Sequence, residues 1–182
     1  VKIKTVLTKS GKEFVTPLSL AALTGSKAHE DIFDANSESE MDHISLSRWA
    51  DIILVIPTTA NLMTKLTIGK AEDLATTLML ASNKEIILVP AMNVRMWLHK
   101  ATQKNFKTLL DFGYNFIGPV SGEMACGEYG EGKMSDPSKI AGEIDKYFLI
   151  QKNNKRFKAL ITAGPTNEYI DHVRFITNKS SG

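Results

Sequence analysis

The chain has 182 residues, of which 22 are basic, 20 are acidic and 43% are hydrophobic, so it suits one globular domain, or one domain with part of another. A net charge of +2 gives no electrostatic case for binding nucleic acid or a membrane surface, and no apolar run reaches the roughly 20 residues of a membrane-spanning helix. The single cysteine excludes a disulfide within the chain, disfavours a thiolate zinc site and favours a reducing compartment. We expect no metal and a cytoplasmic location.

Five short segments are predicted to be β-strands, and two of them are continuous apolar runs. Residues 52–56 (IILVI) and 86–89 (IILV) are rich in β-branched side chains, and each run is followed by a proline. Runs of this kind are typical of strands that are buried on both faces of a parallel sheet. The other predicted strands cover residues 2–8, 114–117 and 159–162.

Helical patterns lie between the predicted strands. The first begins at Pro17 behind a Thr16 cap, and the last follows an Asp136 cap. Strands that alternate with helices predict a doubly wound α/β fold, in which ligands bind beyond the carboxyl ends of the strands. The predicted helices cover residues 17–25, 61–68, 72–81, 94–112 and 137–149.

Two of the predicted strands are followed by turns of small and polar residues, PTTAN at 57–61 and PAMN at 90–93. Such turns leave backbone N–H groups able to meet an anion or the edge of a heterocycle. Alternatively, Thr58 or Thr59 is an ordinary helix N-cap, and Met92 only fills the core. Asn93 could donate hydrogen bonds to a carboxylate or cap the helix that follows it.

His43 and Cys126 are the remaining candidates for chemistry. His43 shares no metal-ligand spacing with the other histidines, so it is either an ordinary residue with a satisfied partner or a residue facing a site. Cys126 lies in a glycine-punctuated loop at 122–134, a pattern that predicts a mobile flap. Its thiol could exchange a proton with an enclosed substrate, or it could be an incidental free thiol.

Taken in order, several segments resemble the bifunctional coenzyme A biosynthesis flavoproteins, which join phosphopantothenoylcysteine decarboxylase to phosphopantothenate–cysteine ligase. The decarboxylase half of that family belongs to the homo-oligomeric flavin-containing cysteine decarboxylases. The resemblance covers nearly the whole chain, and its most specific part is PAMN combined with the ACG flap downstream of His43. The matching segments are MDHISLSRWAD around His43, PTTAN, Gly69 with Ala71 and Asp73-Leu74, PAMN, GEMACGEYGEGKM at 122–134 and TAGPTNEYIDHVRFITNKSSG at 162–182.

The resemblance implies a flavodoxin-like, three-layer α/β/α fold that binds FMN. It also implies decarboxylation of 4′-phospho-N-pantothenoylcysteine to 4′-phosphopantetheine by a trimer, or an assembly of trimers, with active sites shared between subunits. In this resemblance His43 and Cys126 are catalytic, Asn93 binds the substrate carboxylate, and Met92 and Ala125 also contact the substrate. The implied flavin contacts are Thr8, Lys9, Ser10, Thr59, Ala60, Asn61 and Ala91.

The resemblance further divides the chain into a decarboxylase domain at 1–150, a linker at 151–158 and the start of a ligase domain at 159–182. Asn178 falls in the ligase part. The family's glycine-rich first βα unit is expected to be missing ahead of Val1. Ligase activity, with its CTP and Mg²⁺, is expected only of a complete ligase domain.

Thr58 departs from the family, where alanine is common in the PATAN motif, and we expect the small hydroxyl side chain to leave the site intact. Two other functions stay open. One is a non-catalytic flavin-binding subunit, which the presence of Cys126 argues against. The other is a fragment of the ligase, which only the tail favours.

Overall fold

A five-stranded parallel sheet forms the centre of the computed structural model, which describes residues 1–31, 42–124 and 127–150 together with the strands at 158–163, 167–169 and 175–177. Every pair of neighbouring strands in this sheet runs parallel. In spatial order the strands are Lys2–Leu7 (β1), Lys158–Ala163 (β7), Ile52–Thr58 (β2), Glu85–Pro90 (β3) and Asn115–Phe116 (β4).

In the described part of the chain, two antiparallel strand pairs and seven α-helices accompany the sheet. The paired strands are Val120–Glu123 (β5) with Tyr129–Lys133 (β6), and Asn167–Tyr169 (β8) with Phe175–Thr177 (β9). The helices are Pro17–Thr24 (α1), Asp42–Trp49 (α2), Ala60–Thr67 (α3), Leu74–Ala81 (α4), Val94–Leu98 (α5), Lys100–Asp111 (α6) and Pro137–Ile150 (α7).

The two faces of the sheet carry separate hydrophobic clusters. Ile53 and Val55 belong to a cluster that also takes side chains from α2, α3, α4, α5 and α6. Ile52 and Leu54 belong to a second cluster, which contains Ile140 of α7. Alternate residues of β2 therefore fill both clusters, as the pleat of a strand requires. The burial on both faces predicted for residues 52–56 is confirmed, and so is the doubly wound α/β fold with helices on both sides.

The helix predicted at 94–112 is two helices, because His99 interrupts it. The backbone of His99 is extended (φ −62°, ψ 135°), and its Nδ1 accepts a hydrogen bond from the backbone N–H of Ala101 at 3.2 Å. His99 thus ends α5 and serves as the N-cap of α6. By contrast, the predicted caps of α1 are confirmed, since Thr16 Oγ1 accepts from the Ser19 N–H at 3.1 Å and Gly25 ends the helix with φ 66°.

The glycine-punctuated loop predicted at 122–134 is largely an antiparallel hairpin, formed by β5 and β6. Gly132 lies on β6 with φ +141°, directly above the backbone that follows β3. A Cβ atom at this position would lie 2.5 Å from the carbonyl oxygen of Met92. Only glycine therefore allows the hairpin to approach this turn so closely.

Strand β7, which follows the predicted linker, lies between β1 and β2 rather than apart from them. Ala163 is paired with Leu7 on one side and with Ile56 on the other. In the common flavodoxin-like order 2-1-3-4-5, this second position belongs to the first strand of the fold. The division of the chain at residues 151–158 stays a prediction, and a strand beyond that division completes the sheet.

A network of ion pairs holds the connection between α3 and α4. Glu72 accepts hydrogen bonds from Lys65 and from Lys70, the latter at 2.5 Å. Asp73 caps α4 through a 2.8 Å hydrogen bond from the Thr76 N–H and lies 3.5 Å from the Lys65 ammonium group. The hydrogen bonds from Lys65 and then Lys70 lower the pKa of Glu72 from its ordinary 4.5 to about 2.

This depressed pKa predicts an acid-dependent loss of stability that Glu72→Gln should remove. A lowered carboxyl pKa contributes stability above the unfolded value, and that contribution is lost as the pH falls from about 4.5 through about 2. Chemical denaturation across this range should show the parent converging on Glu72→Gln at the acid end. Glu131→Gln, an exposed change on β6, is the control and should follow the parent. A constant difference between the parent and Glu72→Gln at every pH would contradict the assignment.

Candidate active site

Three turns lie at the carboxyl edge of the sheet, where β1, β2 and β3 end. Because these strands are parallel, their carboxyl ends all lie at one edge. Thr8 follows β1, Thr59 follows β2 and Ala91 follows β3. The turns selected in the sequence for flavin contacts are therefore brought to the same edge of the sheet.

The turns after β2 and β3 are joined by the buried side chain of Thr58. Its hydroxyl donates to the carbonyl of Val55 at 3.0 Å and accepts from the N–H of Val89 at 3.2 Å. The carbonyl of Thr58 accepts from the N–H of Ala91 at 3.1 Å. The register between the strands shifts between Val55 and Thr58, and the hydroxyl satisfies an N–H at that irregularity. Threonine at this position thus ties the two turns together.

Small side chains and a helix start follow β2. Thr59 is the N-cap of α3, and its hydroxyl accepts from the Leu62 N–H at 3.1 Å, so the simple capping interpretation is correct for this side chain. Ala60 and Asn61 are the first residues of the helix, and first-turn N–H groups have no partner within a helix. Ala91 is buried beside this turn. The edge therefore offers backbone donors beside small side chains.

The turn after β1 is compact. Thr8 Oγ1 accepts from the backbone N–H of Gly11 at 3.2 Å, and the Thr8 carbonyl accepts from the Lys12 N–H at 3.2 Å. Lys9 and Ser10, between them, are exposed. The Thr8 side chain is thus used in closing the turn, while the other two side chains face solvent.

The side chain of Met92 lies in the hydrophobic core and does not face an open site. Its side chain is buried in the cluster under α2 to α6, and its backbone N–H donates to the carbonyl of Gly132 on β6 at 2.9 Å. The hydrogen bond fastens the hairpin to the turn after β3. The substrate contact implied for Met92 stays a prediction, and the core-filling alternative describes where its side chain lies.

Asn93 has two functions at once, because the two ends of its amide are used differently. Its Oδ1 accepts from the Arg95 N–H at 2.7 Å and caps α5. Its Nδ2 donates to Oε2 of Glu128, on the hairpin, at 2.6 Å. Glu128 is also paired with Arg95, whose Nε lies 3.2 Å from Oε1. The amide nitrogen of Asn93 is therefore a carboxylate-binding group in this structure.

His43 lies in the first turn of α2 and is partly buried. Only Ala50 and Asp51 separate this helix from β2, so its last turn lies beside the amino end of that strand, and its Leu46 belongs to the same cluster as Ile53 and Val55. Nδ1 of His43 is buried and has no hydrogen-bond partner among the residues that the structure describes. A buried polar atom in this state costs free energy unless another group completes its hydrogen bond.

Three predicted site residues, Ala125, Cys126 and Asn178, lie outside the described residues. Beside the first two, the Met124 N–H donates to the Glu128 carbonyl at 2.9 Å. The roles implied for all three stay predictions.

The sequence interpretation did not select Glu128, Arg95 or the bridging role of Thr58. A signal was present for Glu128, which is an acidic residue two positions after the flap cysteine and inside the same motif. Nothing local indicates that its carboxylate meets Asn93, because the two residues are 35 positions apart in the chain.

Within the described ranges, no group of three or more histidine, cysteine, aspartate or glutamate side chains could hold a metal ion. None of the helices in those ranges is both long enough and apolar enough to cross a membrane.

The close approach of the hairpin predicts that Gly132→Ala destabilises the protein. The added Cβ would meet the Met92 carbonyl at 2.5 Å and the Met124 side chain at 2.9 Å, and the φ of +141° disfavours alanine. We expect a loss of about 1–3 kcal/mol, measured by denaturant unfolding. Gly142→Ala, in α7 with nothing within 4 Å of the new atom, is the matched control and should stabilise by roughly 0.5–1 kcal/mol. Equal effects of the two changes would contradict the packing argument.

Sequence comparison places this chain among flavoproteins. Residues 1–149 match the family described as Flavoprotein, and residues 154–182 match the DNA/pantothenate metabolism flavoprotein C-terminal domain. The chain is 44% identical over 181 residues to the coenzyme A biosynthesis bifunctional protein CoaBC of Haemophilus influenzae. The aligned residues cover 100% of this chain and 45% of that protein. The chain thus spans less than half the length of this curated relative.

Solved structures show the same fold. One is a cysteine-to-serine mutant of PPC decarboxylase complexed with pantothenoylaminoethenethiol, with a TM-score of 0.72, 29% identity and coverage of 82% of this chain and 84% of the other. Another is TvaF, an FMN-dependent cysteine decarboxylase from thioviridamide biosynthesis, with a TM-score of 0.59 and 26% identity. The match covers 65% of this chain and 73% of the TvaF chain. The predicted flavodoxin-like fold and the resemblance to this family are confirmed.

Proposed function

We propose that this chain, which belongs to the flavoprotein family, binds FMN and decarboxylates 4′-phospho-N-pantothenoylcysteine to 4′-phosphopantetheine in coenzyme A biosynthesis. One observation carries the proposal. At the carboxyl edge of the sheet, the amide of Asn93 donates a 2.6 Å hydrogen bond to a carboxylate. The similarity to CoaBC and to PPC decarboxylase indicates which carboxylate a substrate would bring.

The residues at this edge fit a flavin. Ala60 and Ala91 offer small side chains beside backbone N–H groups, and the turns that contain them are locked together through Thr58. A flat heterocycle with polar edges suits such a surface. Thr8, Lys9, Ser10, Thr59 and Asn61 would complete the contacts. When bound, FMN would accept two electrons from the thiol end of the substrate and return them after CO₂ has left.

Asn93 would bind the substrate carboxylate by hydrogen bonding without a positive charge. A cation at this position would stabilise the carboxylate before reaction more than in the transition state, where that charge is leaving. A neutral amide binds the carboxylate but stabilises it less than a cation would, so it opposes the loss of CO₂ less. Ala125 would line the same subsite, and Met92 would support it from the core below.

His43 would orient the reacting end of the substrate and carry the proton released when the thiol is oxidised. Its Nδ1 is buried without a partner in the described part of the chain, and a bound substrate or flavin would supply one. Cys126 would donate the proton in the final reduction, after CO₂ has left. The complex of a cysteine-to-serine PPC decarboxylase mutant with an enethiol supports a late role for that cysteine.

The proposal includes the assembly and the remainder of the chain. We expect a trimer, or an assembly of trimers, in the cytoplasm, where a single thiol stays reduced. Residues 1–150 would form the decarboxylase domain, 151–158 a linker and 159–182 the beginning of a ligase domain containing Asn178. CTP and Mg²⁺ would belong to that second domain.

The test combines flavin identification with product analysis. The purified protein should release FMN on denaturation and should release CO₂ from 4′-phospho-N-pantothenoylcysteine. Bound FMN without CO₂ release would instead indicate a non-catalytic flavin-binding subunit. FAD in place of FMN would contradict the cofactor assignment.

A further inference from the structure

Glu128 places a carboxylate of the protein itself on the group that is proposed to bind the carboxylate of the substrate. Its Oε2 accepts from Asn93 Nδ2 at 2.6 Å, and its Oε1 lies 3.2 Å from Arg95 Nε. We infer that Glu128 is a placeholder, which occupies Asn93 until a substrate carboxylate displaces it and which keeps Arg95 paired throughout. This inference rests on the proposed function of the same site.

The amide of Asn93 is oriented for such an exchange. Its oxygen is held as the N-cap of α5, by the Arg95 N–H at 2.7 Å, so its nitrogen end faces the hairpin. A hydrogen bond to a carboxylate is charge-assisted and about twice as strong as one between neutral groups. An incoming carboxylate offers the same kind of acceptor, and two carboxylates repel each other when they share one donor. The substrate must therefore displace Glu128 in order to bind.

The pairing with Arg95 gives Glu128 a second role, in selectivity for decarboxylation. The Arg95 side chain is 88% exposed and Glu128 is 37% exposed, so the two side chains have room to move together when Glu128 leaves Asn93. A free guanidinium two residues from Asn93 would be attracted to the substrate carboxylate and would oppose its loss. By remaining with Arg95, Glu128 keeps the carboxylate subsite neutral.

The inference predicts opposite effects of Glu128→Gln on binding and on turnover. Removing the charge of Glu128 weakens its hydrogen bond to Asn93, since a neutral amide oxygen accepts less strongly than a carboxylate, and it releases Arg95. Ligands with a carboxylate should then bind about tenfold more tightly. Turnover should fall about tenfold, because the freed guanidinium stabilises the carboxylate before reaction. A residue with only a structural role would weaken binding and turnover together.

Two unreactive probes isolate the carboxylate. 4′-Phospho-N-pantothenoylserine lacks the thiol, and its decarboxylated counterpart, the phosphorylated ethanolamide, differs from it only in the carboxylate. Calorimetric titration of the flavin-loaded protein should show tighter binding of the serine probe to Glu128→Gln and unchanged binding of the ethanolamide. Glu131→Gln, an exposed change on β6 three residues further along the hairpin, is the control and should alter neither affinity. Adding Arg95→Gln to Glu128→Gln should restore turnover toward the parent value.

The outcomes separate this inference from the function on which it rests. If the parent binds the serine probe but Glu128→Gln binds it more weakly, or binds both probes with equally changed affinity, the placeholder role is wrong. If the parent holds no FMN and binds neither probe, the proposed function is wrong as well. Glu128→Ala, which cannot keep a hydrogen bond to Asn93, should repeat the gain in affinity for the serine probe, and its failure to do so would also overturn the inference.

Discussion

Replacing His43 with asparagine is expected to stop the reaction before CO₂ leaves. Asparagine keeps a polar side chain of smaller size, but it cannot take up a proton at neutral pH. Loss of a positioned acid–base group costs about a hundredfold to ten-thousandfold in rate. In an anaerobic single turnover, the flavin absorbance of His43→Asn should change little on adding substrate, and little CO₂ should be released.

The experiment separates chemistry from folding because flavin content and turnover are measured on the same sample. His43→Asn should retain FMN, since the turns after β1, β2 and β3 are untouched. His99→Asn is a matched control, because asparagine can also cap α6 and His99 is exposed. It should leave turnover at the parent value. A turnover of His43→Asn within about threefold of the parent would rule out a proton-carrying role.

Replacing Cys126 with serine is expected to divide the reaction after decarboxylation. The hydroxyl has almost the size of the thiol, so the substrate should still bind, reduce the flavin and lose CO₂. A serine hydroxyl is a far weaker acid than a thiol, whose ordinary pKa is about 8.5, so the last protonation should fail. The enethiol should then accumulate, carrying two hydrogens fewer than 4′-phosphopantetheine, which mass analysis distinguishes.

Asn93→Asp provides the contrast, since it should fail at the start of the reaction. An aspartate would set a like charge against the substrate carboxylate and also against Glu128, which lies 2.6 Å from the present amide nitrogen. Release of normal 4′-phosphopantetheine by Cys126→Ser at the parental rate would show that Cys126 is an incidental free thiol. The pair of variants therefore orders the steps at which Asn93 and Cys126 act.

Features that depend on neighbouring residues in the chain were predictable from the sequence. The apolar run at 52–56 indicated a strand buried on both faces, and β2 contributes to both hydrophobic clusters. Thr16 and Gly25 marked the ends of α1. The PTTAN and PAMN motifs identified the turns at the carboxyl edge, because a parallel sheet brings its strand ends together whatever the details of packing.

Contacts between distant parts of the chain were decided by the tertiary structure alone. The break at His99 replaced one predicted helix with two, because the side chain of His99 could cap a second helix. The position of β7 between β1 and β2 depends on backbone pairing, which almost any apolar strand of suitable length can satisfy. The contact of Glu128 with Asn93 exists because glycine at 132 lets the hairpin lie against the turn after β3. Residue patterns encode local conformation and burial, whereas partners far apart in sequence are set by how the packed elements meet in space.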